Sequence, residues 1–574
     1  MHRATSPPSI DSNRSSRERL IEVLTTAGVL AVAAGVYVLI FNRANVLSHS
    51  IGYNLYASER VLNGDVPYRD FHTLYPPAIF YLNAALFNWS GVTLYTSLIG
   101  VLVFKVLTVV VIYLSCRQVM PRSWALISAL SGLLWLRPNG PFKSVPMHYG
   151  ALFLALAMYL LLKHSNQNQR FLVFLAGASL GLVALFKHNI GAYALVGSLV
   201  FLLFDGRRDE RQSQQNKLKP FEHLDYRGPS VLLMGSVATI APALIFMQLN
   251  GALIPMIKTL LFGPGEFLLS RLAIPLSPIA PLALVVTIAV TTYATYKLRR
   301  SPTIAVTMWL ILIVAISVFL LRRDQADIDQ IIFYAPMLVL ASGLGIAVFN
   351  STIPSRERRA LIIQFIFAAA ALMELFPRFA REQSIAAMPF IILFLFSLLY
   401  VLRPAIRVLT GAGLQYRLAL AVLPLIFSLI EARLFFSTYF DGGLRIKAGT
   451  RVNIERGRGV YFPDATAALI DNAVNYIQQR VPTDGNAFAQ SDAGTSLLFL
   501  ANRRNVSRAQ FWIGVGVTQE ERAATLDRID KSGTKLIITS DDVLAGERYT
   551  PVRDYIERNF KATARFDDVV MLER

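Results

Sequence analysis

Apolar stretches of roughly 20 residues, long enough to cross a bilayer as helices, recur along this chain, and no water-soluble fold can bury so many of them. They lie near 22–42, 94–115, 122–136, 148–162, 170–186, 190–204, 230–250, 277–296, 302–321, 331–349, 358–376, 385–402 and 416–438. The pattern predicts a polytopic α-helical membrane protein with about 13 transmembrane helices. Composition agrees. Of 574 residues, 54% are hydrophobic and 16% are charged, against roughly 25% charged in soluble domains.

The net charge of +19 would raise the question of nucleic acid in a soluble protein. No nucleic-acid-binding motif accompanies it. Lys and Arg instead gather in alternate loops, as they do when they hold loops on the cytoplasmic side. With the N-terminus inside, the inner segments carry Arg3, Arg14, Arg17 and Arg19, then Arg117 and Arg122, Lys163 and Arg170, the stretch from Arg207 to Arg227, Lys297 to Arg300, Arg356 to Arg359, and Arg403 to Arg417. These hold roughly twice the Lys and Arg of the opposite loops. An odd number of spans then leaves the C-terminus outside a bacterial inner (plasma) membrane. The first apolar run lacks a small-residue cleavage site and reads as a retained helix. A single cysteine, Cys116, permits no intramolecular disulfide and no thiolate cluster.

Three regions follow: a cytoplasmic tail at 1–21, a transmembrane region at 22–440 with a long first external loop at 43–91, and a polar external domain at 441–574. In the last, Asp464 to Val481 reads as an amphipathic helix with Asp464 as N-cap, and Thr518 to Ser532 as a second helix opened by Thr518. Lys535 to Thr539 and Asp568 to Leu572 read as buried strands. Helices alternating with strands predict a small α/β domain.

The first external loop is too long for a turn. Ile51 to Leu62 has helical character, and Pro76-Pro77 opens a second short helix, Ala78 to Trp89, closed by Gly91. Between them lies Asn63-Gly64-Asp65-Val66-Pro67-Tyr68-Arg69-Asp70-Phe71-His72, followed by Tyr75. Taken singly, the aromatics fit an interfacial belt. Asp65, Arg69, Asp70 and His72 together do not. Asp70 or Asp65 is a candidate general base for an acceptor hydroxyl or amine; the structural alternative for Asp70 is a salt bridge to Arg69.

Cations also sit at external helix ends, against the topological preference: Arg137, Lys143, His148, Lys187, His188, Arg322, Arg323, Arg378 and Arg381. As a set they predict a phosphate site; each alone fits snorkelling to headgroups. Phe186-Lys187-His188-Asn189 is the sharpest, because it interrupts two apolar runs with no room for a loop. Lys105 lies inside a span, where its expected role is structural, paired to a helix carbonyl or to Glu374. The external stretch Leu261 to Pro278, with Gly263-Pro264-Gly265-Glu266, reads as a mobile loop able to gate a cavity, the structural alternative being a plain surface loop. No carboxylate cluster has metal-binding spacing, so no required metal or other cofactor is expected, a divalent metal being the alternative.

This layout resembles the GT-C superfamily of membrane glycosyltransferases. Leu62 to Phe71 with Tyr75-Pro76-Pro77, the Phe186-Lys-His-Asn189 turn and the Leu375-Phe-Pro-Arg378 segment resemble bacterial proteins similar to glycosyltransferase family 39, the protein O-mannosyltransferases and the aminoarabinose transferase. The resemblance implies a polyprenyl-phosphate-linked sugar donor and an acceptor, unspecified as lipid, glycan or protein, on the external side. A loop carboxylate deprotonates the acceptor, the anomeric carbon inverts, and cations hold the leaving phosphate. Arg69, His72, Tyr75, Lys187, His188, Arg322, Arg323 and Arg378 are the implied substrate-binding residues. Two positions depart from the pattern. Relatives carry an Asp-Glu pair before the segment corresponding to Gly52 to Arg60, where this chain has Ser50-Ile51 beside His49. Relatives also show Asp and His where this chain has Ala380, Glu382 and Gln383. A transporter or flippase of a lipid-linked or anionic substrate, and a non-catalytic subunit of an envelope-glycan assembly system, are the alternatives from other classes. No internal repeat supports the first; the missing acid pair is compatible with the second.

Overall fold

The structure, a computed structural model, describes residues 16–43, 51–135, 145–205, 226–270, 325–350, 353–376, 381–404, 407, 449–509, 518–541, 543 and 550–574. The predicted spans at 277–296, 302–321 and 416–438 lie outside the described residues, as does the expected boundary at 441.

Helices come first in the chain: α1 Ser16–Val38, α2 Ile51–Leu62, α3 Ala78–Ser90, α4 Leu94–Arg117, α5 Arg122–Leu134, α6 Pro146–Gln167, α7 Arg170–Phe186, α8 His188–Phe204, α9 Arg227–Leu249, α10 Leu253–Ser270, α11 Gln325–Phe349, α12 Ser355–Leu372 and α13 Arg381–Val401. Among the described residues, α1, α4, α6, α9 and most of α13 are long and apolar enough to cross a membrane; α7 and α8 are shorter apolar helices. Local chemistry sets their ends. Thr93 caps α4 by accepting the Thr96 N–H at 3.1 Å. Gly91, at φ +87°, closes α3, and Pro146 opens α6 at its first turn. The expected loop from Leu261 is instead helical as far as Ser270, with the Gly-Pro-Gly segment inside α10.

Two glycine positions let helices touch backbone to backbone. A Cβ on Gly177 would come within 2.0 Å of the Leu232 carbonyl oxygen, and one on Gly235 within 2.0 Å of that of Phe174. That close approach joins α7 to α9, the packing expected where small residues replace a hydrophobic driving force. Far from the first loop, charge does the joining. Glu22 of α1 takes Arg117 of α4 at 3.0 Å and Arg122 of α5 at 3.3 Å. Asp205 and Arg359, and Glu357 and Arg403, approach at 3.8 Å.

The C-terminal residues form an α/β unit. After β1 Thr450–Arg451 and β2 Tyr461–Phe462 come α14 Asp464–Arg480, β3 Asn486–Ala489, α15 Asp492–Ala501, β4 Arg504–Asn505, α16 Gln519–Lys531, β5 Leu536–Ser540, α17 Thr550–Asn559, β6 Lys561–Phe566 and β7 Val569–Glu573. Five strands make a mixed sheet in the order β4-β3-β5-β7-β6, parallel across β4-β3-β5 and antiparallel across β5-β7-β6. Both predicted strands are present, within one residue of their expected ends. Thr518 caps α16 as expected. Asp464 does not cap α14: Pro463 holds the cap position, and Asp464 is the first helical residue, its carboxylate accepting from Thr450 at 2.7 Å.

Candidate functional site

Helices α2 and α3 bracket the segment that holds the predicted carboxylates. Its turn is tight and strained. Tyr68 sits at φ +67°, a left-handed conformation that costs a non-glycine residue roughly 1–3 kcal/mol. The turn is held by Tyr68 N–H donating to the Phe71 carbonyl at 2.8 Å and Asp70 N–H to that of Val66 at 2.9 Å. The Tyr68 hydroxyl donates to the Tyr75 carbonyl at 2.5 Å. Val66 and Tyr68 pack with Met247, Ala252 and Met256 at the α9–α10 corner, so the loop rests on the helical bundle.

Both Asp70 oxygens are engaged. Oδ2 accepts from the Val66 N–H and from Arg69 Nη2, each at 2.7 Å, and Oδ1 from Arg69 Nε at 3.0 Å. The Arg69 guanidinium holds the carboxyl below its ordinary value, with the Val66 N–H in support. The salt bridge offered above as the structural role of Asp70 is therefore present. It is also open to water: the Arg69 side chain is 44% exposed and Asp70 27%. Asp65 has a different partner, Arg60 Nε, at 2.6 Å. Arg60 also donates to the Asp70 carbonyl at 3.1 Å and lies over the Phe71 ring at 5.0 Å. His72 turns away from this carboxylate toward the C-terminal unit. Its Nε2 is buried without a hydrogen-bond partner among the described residues, and burial lowers its pKa.

Lys187 occupies the single extended residue between α7 and α8. Gly191 makes the break possible, because a Cβ there would lie 2.6 Å from the Ala184 nitrogen. The ammonium is 5.7 Å from the centre of the Tyr75 ring, so the helix break and the first loop meet at Tyr75. Its ion partner is Glu374, at 3.2 Å. The acid expected to pair with Lys105 is thus taken by Lys187, because a 3-10 turn at Met373–Leu375 brings Glu374 to the α7–α8 break. The second Glu374 oxygen, His188 Nδ1 and Asn189 Oδ1 are buried with no hydrogen-bond partner among the described residues.

Of the predicted site residues, the structure brings Arg69, Asp70, Tyr75 and Lys187 into one connected region. Asp65 is tied to it through Arg60, His188 adjoins Lys187, and His72 faces the opposite side of the loop. Arg322, Arg323 and Arg378 lie outside the described residues, as do Arg137, Lys143, His49 and Ser50. Arg60 and Glu374 belong to the region by contact; Arg60 stands five residues before its partner Asp65, but Glu374 reaches Lys187 only through the fold. Among the described residues, no three His, Cys, Asp or Glu side chains gather into a metal-binding group.

Residues 75–218 match the family model described as dolichyl-phosphate-mannose-protein mannosyltransferase. No curated protein matches the chain. Among solved structures, the oligosaccharyltransferase of Archaeoglobus fulgidus tethered to an acceptor peptide is 13% identical, covers 94% of this chain and 72% of its own, and superposes with a TM-score of 0.49. The ArnT protein of Cupriavidus metallidurans bound to undecaprenyl phosphate is also 13% identical, covers 97% of this chain and 98% of its own, and has a TM-score of 0.44. Over residues 75–218, which include Tyr75 and the Phe186-Lys-His-Asn189 turn, this chain is therefore similar to the mannosyltransferase family that the loop and turn motifs resemble.

Proposed function

We propose that this protein is a membrane glycosyltransferase that moves a sugar from a polyprenyl-phosphate-linked donor to an acceptor at the loop-bearing end of its helical bundle, on the external side of the membrane. One observation carries the reading. A carboxylate with an exposed arginine partner lies in the turn whose Tyr68 hydroxyl donates to the Tyr75 carbonyl, a half-buried lysine at a helix break lies over the Tyr75 ring, and the family match begins at that tyrosine and includes the lysine.

The chemistry divides between the two. An acceptor X–H attacks the sugar anomeric carbon as its proton passes to Asp70. The X–C bond forms on the face opposite the departing C–O bond, so the centre inverts. The donor phosphodiester leaves as polyprenyl phosphate and gains a negative charge, which Lys187 and Arg69 stabilise. Asp70 is engaged in the resting state, but an exposed ion pair is worth only about 0–1 kcal/mol. The donor phosphodiester offers Arg69 a second bidentate partner, whose charge rises above that of a carboxylate as the bond to the sugar breaks. Donor binding then draws the guanidinium away and frees the carboxylate where the acceptor arrives. No metal or cofactor is needed for these steps. Arg322, Arg323, Arg378 and His188 complete the proposed phosphate surface.

The test is transfer by the purified full chain from a labelled polyprenyl-phosphate sugar, with release of polyprenyl phosphate. Movement of the lipid-linked sugar across sealed vesicles without transfer would replace this reading with a transporter. Binding without transfer or transport would make the chain a non-catalytic subunit, a reading favoured by the full engagement of both Asp70 oxygens.

A further inference from the structure

The C-terminal unit does more than rest on the helical bundle; it reaches the backbone of the Asp70 turn. Just after edge strand β4, residue 509 pairs with His72 in a single parallel bridge, and the His72 N–H donates to the Arg508 carbonyl at 2.9 Å. The Arg508 guanidinium turns back to donate to the Arg69 carbonyl and, at 3.3 Å, to the Asp70 carbonyl. That Asp70 oxygen also takes Arg60 from the other side. Two guanidiniums from distant parts of the chain therefore grip the peptide that aims the Asp70 carboxylate.

The grip stands on a firm mount. Arg456 forms a paired contact with Glu59 of α2 at 2.6 and 2.8 Å, with side-chain exposures of only 12% and 15%. The Tyr56 hydroxyl accepts the Asn505 N–H at 2.6 Å. Helix α15 lies so close to α2 that a Cβ on Gly52 would fall 1.9 Å from Ser496 Oγ. By contrast, Arg508 itself touches the loop only through main-chain oxygens, so its removal deletes donors without leaving a buried carboxylate unpaired.

The geometry points to Arg508 as a positioning residue. Through the Arg69 and Asp70 carbonyls, the C-terminal unit holds the strained turn in the conformation that presents the Asp70 carboxylate, so the unit is part of the transfer machinery and not an appended domain. The consequence for turnover rests on the reading of Asp70 as base; the consequence for loop order does not.

The experiment is backbone hydrogen exchange over 65–73 in the full chain in lipid nanodiscs, beside steady-state transfer, for wild type, Arg508→Ala and Arg508→Lys. Arg553→Ala, on the exposed face of α17, serves as control for changes to the unit that leave the grip intact. In Arg508→Ala, protection of the Tyr68 and Asp70 amides should fall at least tenfold. kcat should fall by about 10²-fold, the scale of a 1 Å misplacement, with a smaller rise in donor KM because Arg69 shares the turn. Arg508→Lys should restore part of both, and Arg553→Ala should change neither. Unchanged protection in Arg508→Ala overturns the proposal whatever the activity, and so does lost protection with unchanged kcat. If Asp70→Asn transfers at the wild-type rate, the base assignment fails instead, and the exchange result still decides whether Arg508 holds the turn.

Discussion

Two arginine–carboxylate pairs at opposite ends of the helical bundle use the same groups for different ends. Glu22 accepts from Arg117 and Arg122 and so ties three helices together, with side-chain exposures of 22%, 16% and 35%. The Asp70 carboxylate accepts from Arg69, the residue before it, and from the Val66 N–H within the same turn, and the pair reaches the helices only through the Arg69 contact with the Asn250 carbonyl at 3.3 Å. Breaking the first pair separates elements nearly a hundred residues apart. Breaking the second frees a carboxylate at the cost of an exposed contact. The lesson is that an ion pair's place in the fold, not its distance, decides whether it can take part in a reaction. Lys187 and Glu374 stand between the two cases: long-range, with Glu374 buried and Lys187 half-buried, yet in contact with Tyr75 of the loop.

That contrast sets the order of expected effects. Lys187→Ala should be the most damaging to the fold, because it strands Glu374 in a buried site. Losing one partner of a buried pair costs about 3–5 kcal/mol, read as a lower thermal midpoint. The double change Lys187→Met with Glu374→Gln should recover most of the stability and leave donor affinity weak. Recovered affinity would remove Lys187 from the phosphate site. Glu22→Gln comes next, at about 1–3 kcal/mol for the arginines left without their acceptor. Transfer per folded molecule should not change, and a large fall in kcat would contradict the division between the two ends.

Arg69→Ala should cost at most about 1 kcal/mol of stability while shifting the acid limb of transfer upward. Arg69 holds the Asp70 carboxyl below its ordinary value, so the carboxylate stays charged to low pH in the wild type. The stability it contributes is present above its unfolded value of about 3.9 and is lost as pH falls through the lower folded value. An acid limb that stays put in Arg69→Ala would show that Asp70 is not the titrating group. The smallest effect is expected from a chelator: transfer by the purified chain should be unchanged in excess EDTA, and a loss restored by a divalent ion would assign a metal to the site.

Much of this architecture is legible in the sequence because bilayers and helix ends obey local rules. Apolar runs and Gly91 place helix ends near where the structure has them, and the strands near 536–540 and 569–573 read from their apolar runs. What failed is long-range pairing. Glu374 reaches Lys187 from another helix and not Lys105, and Arg508 reaches Asp70 across more than four hundred residues; no periodicity encodes either contact. Asp464 failed for a local reason, since the preceding Pro463 takes the cap position. The loop around Asp70 is visible as polar material in an apolar chain and the Arg69 pair is readable from adjacency, but the Val66 N–H contact to the same carboxylate is set by the fold of the turn.

The central claim is that Asp70 accepts the acceptor's proton during sugar transfer. It is tested most directly by measuring donor binding and single-turnover transfer in the same preparation of Asp70→Asn. The account predicts donor binding near the wild-type value and transfer reduced by about 10²–10⁴-fold, the scale of general base catalysis. Transfer at the wild-type rate in that variant would contradict it.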